Sequence, residues 1–399
     1  MEKRTLVTLL LALFIALLGV GIIAPIIPVY AMDLGATGVT LGLMVAAFSI
    51  SQGVLQPVVG NLSDRRGRKR FLVAGLSIYA VVGLTYTLAT SVEHLILIRL
   101  FHGVGSTMIA PIAMAYVADL APRRQEGKYM GMLNIALFAG FAGGPVLGGV
   151  FRDVIGVNSA FYAMSALTVA SLGLILALLP PDRSSHKTRS NAGLLTTLKR
   201  ILSNTRVLGI LLPRIGTMIV MVPTLAFLPI LMDRLMGATG IEIGIVVSAR
   251  TIVNAGLQAP FGRIADRHNK VALILIGSLI ISACVSVLPS ATNFLQLVWL
   301  SGFMGVGEAL VWPTLGALAV EEGHRYGQGS MMGVFNMAMS AGVLIGSLVA
   351  GSFMDLFGLE YVFYIVAIVL AVSAVAGGLL IARRDPTREE GLFTDSNDS

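Results

Sequence analysis

The sequence predicts an all-α membrane protein, with twelve transmembrane helices in two pseudo-symmetric six-helix bundles. Three observations predict this fold: the apolar character of the chain, the distribution of its basic residues and an internal repeat. The chain has 399 residues, of which 56% are hydrophobic and only 12% are charged. A soluble protein of this length could not bury so much apolar surface, so we expect most of it to lie in lipid.

Apolar stretches long enough to cross a hydrocarbon core of about 30 Å recur along nearly the whole chain. Because these stretches are continuous rather than alternating, they predict helices and exclude a β-barrel. The first stretch is too long for a cleaved signal peptide, and we expect it to be retained. The predicted spans, numbered 1 to 12, cover residues 6–31, 40–62, 71–91, 94–118, 128–152, 158–180, 206–232, 241–263, 270–290, 295–319, 328–353 and 358–382.

A long polar and basic loop divides the predicted spans six and six. We expect an N-terminal bundle over residues 1–180, a cytoplasmic linker over 181–204, a C-terminal bundle over 205–383 and a cytoplasmic tail over 384–399. Of the 28 lysines and arginines, 23 lie at the termini, in the linker or in the loops after even-numbered spans. By the positive-inside rule, both termini are cytoplasmic and the protein spans a cell (plasma or inner) membrane. The net charge of +7 therefore reflects topology and does not indicate nucleic-acid binding.

The two halves of the sequence align at an offset of 202 residues. The stretch LGATGVTLG at Leu34 matches MGATGIEIG at Met236, and Asp153 matches Asp355. Identity at one fixed offset indicates two bundles related by an axis along the membrane normal. Such an arrangement places a substrate site between the halves, near the midplane of the membrane.

A densely charged turn joins spans 2 and 3: six of the eleven residues in GNLSDRRGRKR are charged, and a weaker copy begins at Gly262. Gly67 is expected to supply a positive φ angle, and Asn269 holds the same position in the copy. Contacts formed only when the cytoplasmic face is closed would bias the equilibrium between the two rocking states of the bundles. The alternative is a solvated loop that serves only to anchor the topology. The predicted gate residues are Gly60, Asp64, Arg65, Gly67, Arg68, Asp119, Asp266 and Arg267.

The order of residues in this turn resembles the loop signature of the major facilitator superfamily, and the resemblance covers all twelve spans. The stretch RLFHGVGS, from Arg99, resembles the fourth-helix motif of drug/proton antiporters, whose arginine is implicated in proton transfer. The resemblance implies a monomeric drug:proton antiporter, although the acidic residue that some relatives have in the first helix is missing here. The stretch GFAGGPVLGG resembles the fifth-helix antiporter motif of exporters, with Gly140, Gly144, Pro145, Gly148 and Gly149.

Ionisable side chains inside membrane spans are costly to bury and usually functional. Glu308 is the only acidic residue deep within a predicted span. We expect it to carry the coupling proton and to attract cationic cargo, unless a permanent pair with Arg250 or Arg214 locks it. The other predicted proton-coupling residues are Arg99 and His102.

A substrate cavity should combine apolar surface with a few polar anchors. Arg214 lies near the cytoplasmic end of span 7, and its side chain is expected to extend toward the membrane surface. The predicted cavity residues are Arg250, Gln52, Gln56, Asn134, Asn254, Gln258, Asn336 and Met304.

The sequence thus predicts a secondary active exporter, namely proton-coupled multidrug efflux of amphipathic or cationic compounds by alternating access. One alternative is an exporter of a narrower substrate, such as a sugar, a metabolite or a lipid-linked or anionic molecule. A second is a non-transporting receptor on the same fold, although a tail of 16 residues is short for a signalling domain. The sequence shows no nucleophile–base pair, metal-ligand cluster or phosphate-binding loop, so we expect no enzyme activity, no metal and no cofactor.

Overall fold

The computed structural model describes residues 2–122, 126–180, 199–326 and 328–382. Within these residues, twelve helical stretches are long and apolar enough to cross a membrane, and no strand is present. The all-α fold class is therefore confirmed. Residues 181–198 of the predicted linker and the whole predicted tail lie outside the described ranges, so the domain boundaries stay a prediction.

The spans have two ends that need separate names. The basic end holds the loops after even-numbered spans, and the opposite end holds the loops after odd-numbered spans. The first half contains spans 1 (Glu2–Ile23 and Ile26–Asp33), 2 (Gly38–Arg66), 3 (Arg68–Tyr86), 4 (Val92–Thr107 and Ala110–Leu120), 5 (Glu126–Val154) and 6 (Val157–Leu178). The second half contains spans 7 (Thr205–Val222, Pro223–Phe227 and Leu228–Met236), 8 (Gly240–Arg267), 9 (Lys270–Val287 and Leu288–Ser290), 10 (Phe294–Tyr326), 11 (Gln328–Phe357) and 12 (Leu359–Ala382).

Prolines interrupt three of the inner spans. Pro25 separates the two segments of span 1, and Pro111 lies in the first turn of the second segment of span 4. In span 7, Pro223 begins a π-helical turn that ends at Phe227. Proline cannot donate the backbone hydrogen bond of a regular helix, and its ring crowds the preceding turn.

The repeated LGATG and MGATG stretches end one helix and begin the next. Gly35 and Gly237 have φ angles of 87° and 61°, which a residue with a side chain rarely adopts. Two residues later, Thr37 and Thr239 begin spans 2 and 8, and each side chain accepts a hydrogen bond from a backbone N–H of the first turn. The repeat therefore encodes the same helix–turn–helix corner at the opposite end of both halves.

The two halves pack alike and meet along a few inner spans. In the first half, spans 1 and 5, 2 and 4, and 3 and 6 pack closely, and the equivalent pairs 7 and 11, 8 and 10, and 9 and 12 do so in the second. The halves meet chiefly through spans 5 and 8 and through spans 2 and 11. Spans 3, 6, 9 and 12 make their main contacts within their own half, which matches helices that face lipid.

The charged turn and its copy have different backbones. Gly67 has a φ angle of 96° between spans 2 and 3, as expected. Asn269, at the equivalent position, has a φ angle of −63°, so the expected left-handed conformation is wrong there. Its side chain instead accepts hydrogen bonds from the N–H groups of Val271 and Ala272, which caps span 9.

Candidate functional site

The second half contains an ion pair buried between spans 8 and 10. Arg250 and Glu308 are only 7% and 4% exposed. Arg250 Nε donates to Glu308 Oε1 at 2.9 Å, and its Nη2 contacts the same oxygen. Gly305 permits this approach, since a Cβ there would lie 2.5 Å from the Arg250 carbonyl oxygen. Of the two arginines considered as partners of Glu308, the structure pairs it with Arg250.

Neutral polar groups complete this pair. Arg250 Nη1 donates to the hydroxyl of Thr224, which lies on the π-helical turn of span 7. Asn254 Nδ2 donates to Glu308 Oε2 at 2.9 Å, and Gln258 Nε2 donates to Asn254 Oδ1 at 2.7 Å. Both carboxylate oxygens therefore have donors, which offsets part of the cost of burying the charges.

Arg214 lies in an aromatic pocket between spans 7, 10 and 11. Its guanidinium is 4.8 Å from the centre of the Phe335 ring and 5.6 Å from that of Trp312. Its Nη2 is 3.2 Å from the Met339 sulfur. The expectation that Arg214 extends to the membrane surface is wrong: the side chain is buried, because the two rings offer cation–π contacts within the bundle.

In the first half, His102 is completely buried among aromatic rings. Its Nδ1 lies 3.2 Å from the Tyr86 hydroxyl, and the centre of the Tyr79 ring is 4.5 Å away in an edge-to-face arrangement. Arg99 lies beside Phe48, with its guanidinium carbon 5.6 Å from the ring centre. The structure thus brings the two predicted proton-coupling residues of span 4 into one aromatic cluster.

The internal repeat extends to these contacts. Gln52 Nε2 donates to Ser106 Oγ at 2.9 Å, and these residues are the counterparts of Asn254 and Glu308. Phe48 occupies the position equivalent to Arg250. The polar network of the second half is therefore a charged version of a neutral contact in the first.

The other predicted cavity residues have different environments. Gln56 and Asn336 are half-buried, and Asn134 is exposed. Met304, the counterpart of His102, is completely buried in the apolar core. Span 10 directs this side chain into the bundle, and its role as a cavity residue stays a prediction.

The glycines of the fifth span serve two interfaces. Gly140, Gly144 and Gly148 face span 1 of the same half, and a Cβ at Gly144 would lie 2.5 Å from Gly21 Cα. Gly149 instead faces the other half, where a Cβ would lie 2.6 Å from the backbone nitrogen of Ile241. The Pro145 carbonyl group lies against Gly244 of span 8, also in the other half.

At the basic end, Arg68 pairs with Asp119 at 2.9 Å. This contact joins spans 3 and 4 within the first half and does not cross to the second. A Cβ on Gly60 would meet no atom of the described residues within 4 Å, and Arg267 is exposed. The side chains of the other predicted gate residues lie outside the described part of the structure; they are Asp64, Arg65 and Asp266.

At the opposite end, two carboxylates join the halves. Asp153, at the end of span 5, accepts hydrogen bonds from the N–H groups of Gly240 and Ile241, both at 2.9 Å. Asp355, at the end of span 11, caps the start of span 2 in the same way. In the sequence these two aspartates stand out only as repeat partners, and the free N–H groups that begin spans 2 and 8 are the signal for their role.

The space between the halves differs at the two ends. Close contacts between spans 5 and 8 extend from the opposite end to Ser248, whose hydroxyl donates to the Ala142 carbonyl at 2.6 Å. Toward the basic end, a Cβ on Gly131, Gly256 or Gly333 would meet no described atom within 4 Å. This pattern indicates halves that are closed at the opposite end and separated toward the basic end.

Comparisons with known sequences agree with this architecture. A model of the Major Facilitator Superfamily matches residues 9–237 and 215–396. An uncharacterised MFS-type transporter of Methanocaldococcus jannaschii is 29% identical over 388 residues, which cover 96% of this chain and 99% of that protein. Multidrug resistance protein 1 of Bacillus subtilis is 28% identical over 377 residues, which cover 94% of this chain and 96% of that protein.

The fold is also that of solved transporters. A bacterial homologue of the human lysosomal transporter Spinster, in an inward-facing and unoccupied conformation, aligns with a TM-score of 0.82 at 14% identity. The alignment covers 96% of this chain and 99% of that chain. The twelve spans, the arrangement of the two halves and the family match lead to one assignment. The chain belongs to the Major Facilitator Superfamily, and it is a multi-pass membrane transporter and not an enzyme.

Proposed function

We propose that the protein is a proton-coupled efflux pump for amphipathic compounds, including cationic ones, in the plasma membrane. The observation that supports this most is the buried Arg250–Glu308 pair on spans 8 and 10, close to the interface between the halves. The name of the Bacillus subtilis relative, multidrug resistance protein 1, favours efflux of several drugs. We further propose that the basic end is cytoplasmic, so that the described conformation opens toward the cytoplasm.

The ion pair suggests how a proton and a cargo exchange. While Glu308 is ionised, it neutralises Arg250 and accepts the amide N–H of Asn254. A proton on Glu308 removes the charge that holds Arg250, so the guanidinium is freed and the local net charge rises by one. A cationic cargo is repelled by that extra charge, and the repulsion falls when the proton leaves, which makes proton and cargo alternatives at one place.

The aromatic cluster of span 4 supports a second role in coupling. A fixed positive charge at Arg99 repels protons. It would therefore hinder the passage of protons along any route that bypasses Glu308. Among the described residues, His102 has a hydrogen-bond contact only through Nδ1, so Nε2 is available to hold or pass a proton. We assign Arg99 and His102 to the control of proton access, and Glu308 to proton binding.

Transport by purified protein in lipid vesicles tests the proposal. Vesicles with an acidic interior should accumulate ethidium, an amphipathic cation, in exchange for protons. In Glu308→Gln vesicles, ethidium should still equilibrate down its own gradient, but an imposed pH gradient should no longer drive accumulation. Asn254→Ala offers a matched control that keeps the carboxyl group, and its accumulation should still respond to pH. If Glu308→Gln accumulation still follows the pH gradient, Glu308 is not the coupling site.

A further inference from the structure

The site around Glu308 contains more buried positive charge than that carboxylate can balance. Among the described residues, Arg250 and Arg214 both lie buried within the bundle. Of the two buried carboxylates described in this half, Glu308 pairs with Arg250, and Glu322 pairs with Arg206 at the basic end. Glu308 is close enough to Arg214 for their charges to interact, yet both of its oxygens are already bonded to other donors. Arg214 therefore has no bonded counter-charge among the described residues.

The pocket around Arg214 also has two donors without acceptors. Among the described residues, Arg214 Nε and Trp312 Nε1 are both buried and have no hydrogen-bond partner. The two groups are neighbours, since the guanidinium lies 5.6 Å from the Trp312 ring centre. A buried donor without an acceptor is costly, and native structures usually satisfy it with protein, water or a ligand.

Besides its ring contacts, Arg214 has a weak hydrogen-bond contact that a ligand could replace. Its Nη2 points to the sulfur of Met339 at 3.2 Å, and a thioether is a weak acceptor. Methionine side chains are flexible and readily move aside for a bound molecule. The Phe335 and Trp312 rings would remain as flat apolar surfaces on either side of a bound group.

We propose that Arg214 and Trp312 form a site for an oxyanion group, such as a carboxylate or sulfonate, on an aromatic amphipathic cargo. Arginine binds such groups through parallel charge-assisted hydrogen bonds, and the indole N–H supplies a third donor. This inference rests on the proposed efflux function and extends its cargo from cations to amphipathic acids. A lipid phosphate has the same chemistry, and the experiment below separates the two sources.

A variant that keeps only Trp312 allows probe binding near this residue to be measured by fluorescence energy transfer. The chain has two tryptophans, and Trp299 is 63% exposed on the surface of span 10, so Trp299→Phe leaves Trp312 as the only indole fluorophore. The probes are 1-anilinonaphthalene-8-sulfonate and N-phenyl-1-naphthylamine, which share their rings but differ in the sulfonate. We expect both to accept energy from Trp312 in phosphatidylcholine vesicles that contain the protein, above the signal of empty vesicles.

Neutralising the arginine should separate the two probes. Arg214→Gln should weaken binding of the sulfonate about tenfold or more and change binding of the neutral probe by less than about twofold. Arg214→Lys keeps the charge without the planar fork and should give an intermediate loss. Retained binding of the neutral probe shows that each variant is folded. Sulfonate binding that is unchanged in Arg214→Gln, or a loss equal for both probes, overturns the proposal.

Two further arms complete the test. Trp312→Phe, followed by the fluorescence of the probe itself, should weaken binding of the sulfonate more than binding of the neutral probe, because both probes lose part of the ring surface but only the sulfonate also loses the indole N–H donor. Adding phosphatidylglycerol to the vesicles should leave sulfonate binding at Arg214 unchanged; competition by that lipid would assign the site to a headgroup and overturn the cargo proposal. Binding needs no pH gradient, so a failure here is independent of the Glu308→Gln transport result.

Discussion

Asp355 at the end of span 11 accepts a hydrogen bond from the backbone N–H of Gly38, 2.5 Å away at the start of span 2 in the other half. The Val39 N–H donates to the same carboxylate at 2.8 Å. Asp153 makes the equivalent contacts with Gly240 across the second interface. Each carboxylate therefore supplies from one half the cap that a helix of the other half needs at its positive end.

Replacing both aspartates by asparagine should open this end of the molecule. Each charged cap is worth about 1 kcal/mol, so Asp153→Asn with Asp355→Asn should shift the conformational equilibrium toward the open state by about tenfold or more. Spin labels on cysteines introduced at Val154 and Leu235 lie in opposite halves, and their distance distribution should gain a longer component.

The label experiment needs two matched controls. The native Cys284 is replaced by alanine in every variant so that only the introduced cysteines react. Glu360→Gln neutralises an exposed carboxylate in the first turn of span 12 at the same end, and it should leave the distances unchanged. Identical distributions in the double aspartate variant and the parent would show that the caps do not hold this end closed.

The fifth-span glycines should respond differently according to the interface they serve. Gly149→Val inserts a side chain against Gly240 of the other half, so it should favour the open state without loss of stability within the first half. Gly144→Val inserts one against Gly21 of span 1, where the closest backbone atom lies 2.5 Å from the added Cβ, and it should lower the melting temperature. The same spin-label distances and thermal denaturation in detergent measure the two effects.

Gly131→Val is the control for that pair. It lies on the same span, and within the part of the chain that the structure describes a Cβ there meets nothing within 4 Å. It should therefore change neither the distances nor the melting temperature appreciably. A melting temperature lowered equally by all three substitutions would mean that a general effect of the β-branched side chain, and not packing between spans, explains the loss, since valine has a higher helix propensity than glycine.

The hydrogen bond between His102 and Tyr86 should contribute to the stability of the fold. Tyr86→Phe removes the hydroxyl 3.2 Å from His102 Nδ1 and should cost about 1 kcal/mol of stability, with a smaller further cost in the background of His102→Asn. If His102 also controls proton access, His102→Asn should reduce pH-driven ethidium accumulation more than Tyr86→Phe does. Equal accumulation in both variants and the parent would restrict His102 to a structural role.

The fold could be predicted from the sequence because its signals are continuous along the chain. The apolar stretches, the distribution of basic residues and the repeat at an offset of 202 each involve many residues. A misinterpreted residue at one position therefore does not change the predicted fold. The pairing of Glu308 with Arg250 was among the alternatives because few charges lie inside the spans. A carboxylate in lipid needs a partner, and the sequence contained only a few candidates.

Contacts that depend on how spans rotate against each other could not be predicted in this way. Arg214 turns inward because Trp312 and Phe335 come from two other spans, and hydropathy does not report which face of span 7 meets them. Thr224 reaches Arg250 only through the π-helical turn that begins at Pro223. The repeat indicates that positions are equivalent, but it does not indicate what they contact.

That equivalence leads to a direct test of the charged site. Arg250→Phe with Glu308→Ser gives the second half the residues that the first half has at Phe48 and Ser106. Glu308→Ser alone leaves Arg250 buried and unpaired and should cost about 3–5 kcal/mol, whereas the double variant should regain most of that loss because neither charge of the pair remains.

Function should not recover together with stability. The double variant should fold and equilibrate a neutral probe such as N-phenyl-1-naphthylamine, yet a pH gradient should drive no accumulation, since the proton-binding group is gone. Thermal denaturation and vesicle transport of the two single variants and the double variant measure both properties in one series. If the double variant remains as unstable as Glu308→Ser, Asn254 and Thr224 need the charges in order to pack. If a pH gradient still drives accumulation by the double variant, the coupling proton binds elsewhere.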